Sequence, residues 1–415
     1  NGIWRNIIIN LKLKRNMLKI AIIWANPYNK NFGVAALGYS SLALINDCLK
    51  ENNLKGEFTF IGSSEIGKDS ISIGNNIIEF NNIMGLDYFS KKSWLKMILQ
   101  PKKYGTFKLS KFDYIFDIGE GDSFSDIYGI KRFNRVYSSK VFLNFLKKKQ
   151  IILPQTIGPF KDIEIKRKAD AIMSQMAYVF SRDEKSYQYT KSILSGDKIG
   201  EFIDVAFYMP FNQQSYNDDK VHVGINVSGL LWTGGYTGNN QFNLKLEYKD
   251  TLIKIIEYFL TKNDVLVHII SHVTPDKPIE DDYEAAMEIK KRFPNIIVAP
   301  KFQSPIEAKS YISGMDYFTG ARMHSCIAAF STGVPVIPMA YSRKFNGLFV
   351  DTLQYDELAD CVNVDEKGVI SKVKEGYENR KILKEKIHFS NTKIVIPRLE
   401  ILKNKISNIL SNEKN

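Results

Sequence analysis

The sequence predicts an α/β protein made of two doubly wound, Rossmann-like domains and a C-terminal helical tail. Three observations carry this reading. Compact apolar runs such as Leu18–Ala25 and Val221–Val227 recur along the chain, and they alternate with longer segments of helical spacing. One polar interruption, Phe211–Lys220, splits the alternation into two series. Continuous apolar strands set between helices indicate parallel sheets covered on both faces.

In the first series, Leu18–Ala25 reads as a strand and Val34–Leu49 as an amphipathic helix. Strands follow at Phe58–Ile61, Tyr114–Ile118, Ile151–Pro154 and Tyr178–Ser181, with helices at Ile163–Met176 and Glu184–Leu194. Ser63–Ser110 shows no clear alternation. In the second series the strands are Val221–Val227, Val265–Ser271, Ile296–Ala299, Tyr317–Thr319 and Val334–Met339. Between them lie helices over 247–261, 280–292, 305–313 and 323–332. The expected domains are therefore 17–210 and 221–350, with the tail at 351–415. Two such domains in tandem suggest a cleft, and doubly wound sheets bind ligands at the carboxyl ends of their strands.

Composition narrows the class. The 415 residues are 44% hydrophobic and 25% charged, values that argue against disorder. Apolar runs fall short of about 18 residues, so an integral membrane protein is not expected. Cys48, Cys326 and Cys361 are widely spaced and form neither a zinc pattern nor a disulfide framework, which suits the cytoplasm. The net charge of +12 is concentrated in places. Residues 1–19 hold five basic residues and no acid, and Met17 stands directly before the first strand. Met17 is the expected natural start, with 1–16 lying upstream of it. Residues 365–415 carry 12 basic and 7 acidic residues, not interleaved with a stacking aromatic platform or a recognisable nucleic-acid motif, so nucleic acid is not an expected partner. Lys91–Lys103 (KKSWLKMILQPKK) sets an apolar core between lysine pairs. It reads either as an interfacial helix on anionic lipid or as a helix docked on the N-terminal domain.

The segment richest in chemistry is Tyr317–Lys344. A strand ends at Gly320, Arg322 and His324 open a helix, and a further strand leads to Tyr341 and Lys344. Helix starts attract anions, Arg322 adds a bidentate donor, and His324 adds a group that exchanges protons near neutral pH. Lys344 adds a point charge. In Asp113–Gly129 a strand runs into Gly119-Glu120-Gly121-Asp122. Glu120, Asp122 and Asp126 suit the gripping of sugar hydroxyls or the taking of a hydroxyl proton, or else belong to a capped polar turn. Paired carboxylates also suit a divalent metal, but with no His or Cys beside them they support one only weakly, and no metal is expected. Other strand ends supply Asn31 and Gly33, Gln155, Ser228, and His272 in SHVTPD, the last either a cleft residue or a loop cap. Ser181-Arg182-Asp183 ends a strand, with Asp183 an N-cap and Arg182 either reaching an anion or paired structurally.

In order, NFG at 31–33, DYIFDIGEGDSF at 113–124, PQTIGPF at 154–160, SRDEKS at 181–186, DVAF at 204–207 and GARMHSCIAAFSTGVPVIPMAYSRK at 320–344 resemble the polysaccharide pyruvyl transferase family. The resemblance implies a GT-B-type pair of Rossmann-like domains, the N-terminal one on the acceptor side and the C-terminal one on the donor side. It implies phosphoenolpyruvate as donor, without a cofactor, and as acceptor a sugar of a cell-surface polysaccharide or its lipid-linked precursor. Separately, the basic charge around Lys91–Lys103 and in the tail suits peripheral contact with an anionic membrane, at the inner face of the cell membrane. Arg182, Arg322 and Lys344 would then hold the donor, His324 would protonate its methylene carbon, and Glu120 or Asp122 would assist the acceptor hydroxyl. The chain departs from the family pattern at Val34, where Asp is frequent, and at Gly119–Asp122, where a run of glycines is usual. Two other readings stand beside it: a nucleotide-sugar-dependent glycosyltransferase of the same fold, and a non-enzymatic component of polysaccharide assembly.

Overall fold

The computed structural model describes residues 17–73, 76–85, 90–275 and 278–411; the upstream segment 1–16 lies outside them. Contacts divide the described residues into two compact units, the first of 17–29, 37–208 and 398–411, the second of 30–36 and 209–397. The first runs β1 (Met17–Ile23), α1 (Phe32–Glu51), β2 (Lys55–Ile61), β3 (Gly67–Ile73), β4 (Asn76–Ile83), α2 (Lys91–Leu99), β5 (Tyr114–Asp117), α3 (Ile130–Phe145), β6 (Lys149–Gln155), α4 (Ile163–Met173), β7 (Tyr178–Ser181), α5 (Glu184–Lys191) and β8 (Ile199–Glu201). The second runs β9 (Val221–Asn226), α6 (Tyr248–Leu260), β10 (Val265–Ile270), α7 (Asp282–Arg292), β11 (Ile297–Val298), α8 (Pro305–Ile312), β12 (Tyr317–Gly320), α9 (Met323–Ser331), β13 (Val336–Ala340), β14 (Ala359–Asp360), α10 (Glu366–Glu378) and α11 (Arg380–Ser390). Helix α12 (Ile396–Ser411) follows.

Each unit has its own sheet. In the second unit the order is β11-β10-β9-β12-β13-β14, all parallel. Counted from β9 this is 3-2-1-4-5-6, the Rossmann order, with its reversal between β9 and β12. The first sheet, β3-β4-β2-β1-β5-β6-β7-β8, reverses between β1 and β5. Its central strands are apolar on both faces because helices cover both; Ile20 to Ile22 and all of β5 are buried.

Three features escaped the sequence pattern. The hairpin of β3 and β4 lies in the stretch read as irregular, and it is the antiparallel edge of the sheet. Its apolar positions are interleaved with Lys68, Asp69, Ser70 and Asn81, which blur the alternation. Helix α3 buries Lys140, whose Nζ bonds the Asp117 carboxylate, together with Ser138 and Ser139. Buried polar residues at core positions hide the helical stripe. Helix α1 corrects the expectation about apolar runs: by length and composition it could cross a bilayer. Leu37, Leu42, Leu44 and Ile45 are fully buried on it, however, so it is a core helix rather than the amphipathic one expected.

The expected tail, 351–415, is not one element. Val369, Val373, Tyr377 and Leu383 on α10 and α11 join the core of the second unit. Residues 398–411 belong to the first, where Tyr114 donates to the carbonyl of Ile409 at 3.0 Å and Arg398 pairs with Glu201 at 2.8 Å. Apolar stripes at helical spacing direct each part to a core.

Candidate functional site

In the second unit the chemistry gathers where the strand order reverses. Asn226 ends β9 and is buried there. Its Oδ1 accepts the Arg322 N–H at 2.9 Å, and its Nδ2 donates to the carbonyls of Ile270 (2.9 Å) and Val227 (3.2 Å). Gly320 must be small beside it, since a Cβ would stand 2.6 Å from that of Asn226. This stitch fixes the entry to α9, whose N-cap is Arg322 and whose second residue is His324.

Two further segments converge on half-buried His324. Lys30 to Ala36 pack with the second unit, through an antiparallel bridge between Asn31 and Val273. The Phe32 N–H donates to the His272 carbonyl at 3.0 Å, and the Thr274 N–H to that of Lys30 at 2.9 Å. Asn31 Oδ1 accepts the Gly33 N–H at 3.0 Å and opens α1. Gly33 then lies so close to His324 that a Cβ would be 2.5 Å from Nδ1. His272 packs edge-on against Phe32 with ring centroids 5.8 Å apart. It is only 2% exposed, and neither ring nitrogen has a hydrogen-bond partner. Burial, with the nearby His324 and Arg322, pushes its pKa down to about 3. Asn31, Gly33, His272, Arg322 and His324, scattered in sequence, are thus one cluster. The loop-cap alternative for the His272 side chain does not hold, because its ring nitrogens bond nothing.

Gly33→Ala should be a sharp probe of this packing. The added methyl forces the imidazole to move, and a displacement of about 1 Å at a reacting group can cost on the order of 100-fold in rate. The expected result is a large fall in turnover with a melting temperature near that of the wild type.

Arg322 does not stand open for a ligand, which corrects the expectation that it grips an anion. Its Nη2 bonds Asp282 Oδ1 at 2.7 Å and the Glu280 carbonyl at 3.1 Å, and its Nε bridges both Asp282 oxygens. Asp282 is fully buried and also accepts the N–H groups of Gly229, His272 and Val273. Ser228 is likewise internal: it caps the turn Gly229–Trp232, and its N–H bonds Tyr248. Tyr341 packs on Phe242 and Phe345, and half-buried Lys344 follows on the same loop after β13.

A pH dependence of stability follows from two buried histidines. His268, bonded to His222 (2.9 Å) and to the Tyr311 hydroxyl (2.7 Å), is held at about 4 by burial and by His222, and His272 at about 3. The ordinary value is about 6.5, so the unfolded chain takes up protons that the folded chain refuses. Stability should be full above about pH 7 and fall as pH drops towards 4, at up to about 1.4 kcal/mol per pH unit for each histidine. Denaturant titrations across that range should show it, with roughly half the slope in His272→Phe.

The first unit carries a separate feature at the reversal between β1 and β5. A cavity of about 240 Å³ is lined there by, among others, Trp24, Asn26, Ser63, Glu120, Arg132 and Arg135. Glu120 sits at φ 50° with its N–H bonded to the Trp24 carbonyl at 2.8 Å. Its carboxylate pairs with Arg132, whose guanidinium lies 5.3 Å from the Trp24 ring. Burial pushes the Glu120 pKa up, while Arg132 pulls it down. Asp122 accepts the Tyr128 hydroxyl at 2.9 Å.

Arg182 and Gln155 are supports beneath this loop, a second correction. Arg182 is buried, with Nη1 2.6 Å from Asp204 Oδ2 and Nε 3.0 Å from Thr156 Oγ1. Gln155 is fully buried and donates to the Asp117 carbonyl at 2.9 Å. A Cβ on Gly119 would fall 1.9 Å from Gln155 Oε1, so the loop rests directly upon it. Asp183 caps α5 as expected, accepting the Ser186 N–H at 2.9 Å. Sequence reasoning passed over Asp282, Asn226, Trp24, Arg132 and Arg135. An acid at the start of a helix was the available signal for Asp282; the others carried none.

These units have the GT-B fold. Similar solved structures share that fold: S. aureus MnaA with UDP (11% identity, 95% of this chain and 97% of that one, TM-score 0.60), a UDP-N-acetylglucosamine 2-epimerase described as putative from Listeria monocytogenes (10%, 95% and 97%, 0.58), and a trehalose 6-phosphate synthase from Burkholderia multivorans (9%, 96% and 100%, 0.53). Among known sequences, the amylovoran biosynthesis protein AmsJ of Erwinia amylovora is 20% identical over 405 residues, 93% of this chain and 90% of that protein. The polysaccharide pyruvyl transferase family model matches residues 36–343, and the chain belongs to that family of transferases.

Proposed function

We propose that the protein moves the pyruvyl unit of phosphoenolpyruvate onto two hydroxyls of one sugar in a cell-surface polysaccharide or its lipid-linked precursor, as a ketal. The observation that carries this is the enclosure of His324: at the strand-order reversal, on the opening turn of α9, with Gly33 against its Nδ1 and neutral His272 close by. Family membership supplies the reaction class. The kinship with an amylovoran biosynthesis protein supports an exopolysaccharide as product.

In this reading protonated His324 gives its proton to C3 of the donor, and positive charge develops at C2. An acceptor hydroxyl oxygen bonds C2 and releases its proton. The bond from C2 to the phosphate oxygen breaks, phosphate leaves, and a second hydroxyl of the same sugar closes the ketal with loss of its own proton. With Arg322 committed to Asp282, the donor's anionic groups fall to Lys344 and the opening of α9. The Trp24–Arg132 cavity takes the acceptor. Glu120 on its lining, and Asp122 two residues further along the same loop, are carboxylates suited to receive sugar hydroxyls. We place this reaction in the cytoplasm.

The test is thermal unfolding with phosphoenolpyruvate or with nucleotide sugars, followed by phosphate release in the presence of glycan acceptors. A donor at about 100 times its Kd adds about 2.7 kcal/mol of stability. Protection by phosphoenolpyruvate and acceptor-dependent phosphate release are the expected results. Protection by a nucleotide sugar alone would replace the proposal with glycosyl transfer, and protection by neither donor would point to a non-enzymatic component.

A further inference from the structure

Helix α2 is attached to the first unit by a narrow strip. Ser93 and Met97, one turn apart, are its buried residues. Trp94 flanks the strip, its ring edge-on to Phe142 at 5.7 Å, and is still 47% exposed; the arc facing away carries Leu95, Ile98 and Leu99, exposed by 56%, 70% and 68%, and Phe107 at 71% extends it. Single exposed apolar residues are ordinary, but five large ones in one short segment are not. From Ser90 to Phe112 the chain also holds seven lysines, Lys91, Lys92, Lys96 and Lys108 among them, and no Asp or Glu. An apolar arc bordered by unopposed lysines is complementary to a surface that is anionic outside and apolar just beneath. A nine-residue helix is too short to cross a bilayer and suits lying within its interface. Lysine stems can lie along the apolar layer while their ammonium groups reach headgroup phosphates.

The strip beneath α2 points to what such docking would serve. Met97 belongs to a buried cluster with Ile23, Ile61 and Ile83, and Trp24 and Met84 pack against it. Ile23, Trp24, Ile61 and Met84 also line the Trp24–Arg132 cavity. The helix therefore rests on the outer side of that cavity's wall.

We propose that Lys91–Lys111 is a membrane-docking surface, which seats the first unit on an anionic bilayer and brings the cavity to a glycan carried on lipid. The docking stands apart from the donor chemistry; the lipid-linked acceptor rests on the transfer reading above.

The test is sedimentation of the full chain with vesicles of phosphatidylcholine alone and with phosphatidylglycerol added in equal part, at low and high salt. Binding to the anionic vesicles is expected, weaker by about tenfold or more on neutral vesicles or at high salt. Ile98→Ser/Leu99→Ser/Phe107→Ser should reduce binding by about tenfold or more while leaving the melting temperature unchanged, since all three side chains are exposed. Lys91→Glu/Lys92→Glu/Lys96→Glu should do the same on anionic vesicles only. Absence of binding by the wild type, or equal binding by the serine variant, overturns the proposal. So does gel filtration showing a dimer that the serine variant loses without any vesicle binding, which would assign the patch to a second copy of the chain. Vesicle binding without phosphate release from phosphoenolpyruvate would support docking and sink the transfer reading alone. With both intact, the serine variant should keep full transfer to a soluble acceptor and lose it to a lipid-linked one in vesicles.

Discussion

His324→Ala should abolish most pyruvyl transfer while leaving the protein folded. A positioned general acid contributes about 10²–10⁴-fold, and that is the expected loss in turnover. Folding should survive because the ring is half-buried at a helix start, where it fills space beside Gly33 and not a core layer. Coupling to Gly33 gives a stricter check. Gly33→Ala harms the wild type by pushing the imidazole, so in the His324→Ala background the same change should cost almost nothing further. Such non-additivity between contacting residues isolates their interaction. If His324→Ala kept nearly full activity with its acceptor, the proton would have to come from elsewhere, and His324 would be only a spacer against Gly33.

The parts of the fold that were legible in the sequence are those where burial is two-sided. Strands β1, β5, β6, β7, β9, β10 and β12 are dominated by apolar residues because both faces of each sheet are covered, and each was read within a few residues of its bounds. Edge and polar-core elements were not. The β3–β4 hairpin has one covered face and many polar residues, and α3 hides a lysine paired with Asp117 inside its apolar stripe. The site shows the same division. Residue type and spacing put His324 at the opening of a helix and His272 just past the end of a strand, where the structure has them, yet could not say which cations were already taken. Arg182 and Arg322 look alike in sequence, each beside the end of a strand. Their occupation depends on Asp204 and Asp282, 22 and 40 positions away, and only the fold brings those carboxylates near. Asp204 does lie in the DVAF segment that helped mark the resemblance, so that segment now has a physical meaning: it holds the cation under the Glu120 loop.

Asp282→Ala should be the most destabilising single change near the site, and the reason separates structure from chemistry. The carboxylate is fully buried and answers four groups at once: the Arg322 guanidinium and the N–H groups of Gly229, His272 and Val273. Burial pushes its pKa up on balance, while Arg322 and the N–H groups of Gly229 and His272 oppose the rise. Removing it leaves a buried guanidinium uncompensated and three backbone donors without their acceptor. Breaking one partner of a buried pair typically costs about 3–5 kcal/mol, and the expected loss in a denaturant titration is of that size. Arg322→Met should cost less, because Asp282 keeps its backbone N–H donors. If Arg322 instead served only to grip the donor, Arg322→Met would leave stability untouched and raise KM for phosphoenolpyruvate. A combined Asp282→Ala/Arg322→Met protein should then be more stable than Asp282→Ala alone, since it no longer buries an unpaired charge. That reversal is the signature of a clamp whose purpose is to hold β9, α7 and the start of α9 in register, so that His324 meets Gly33 at contact distance.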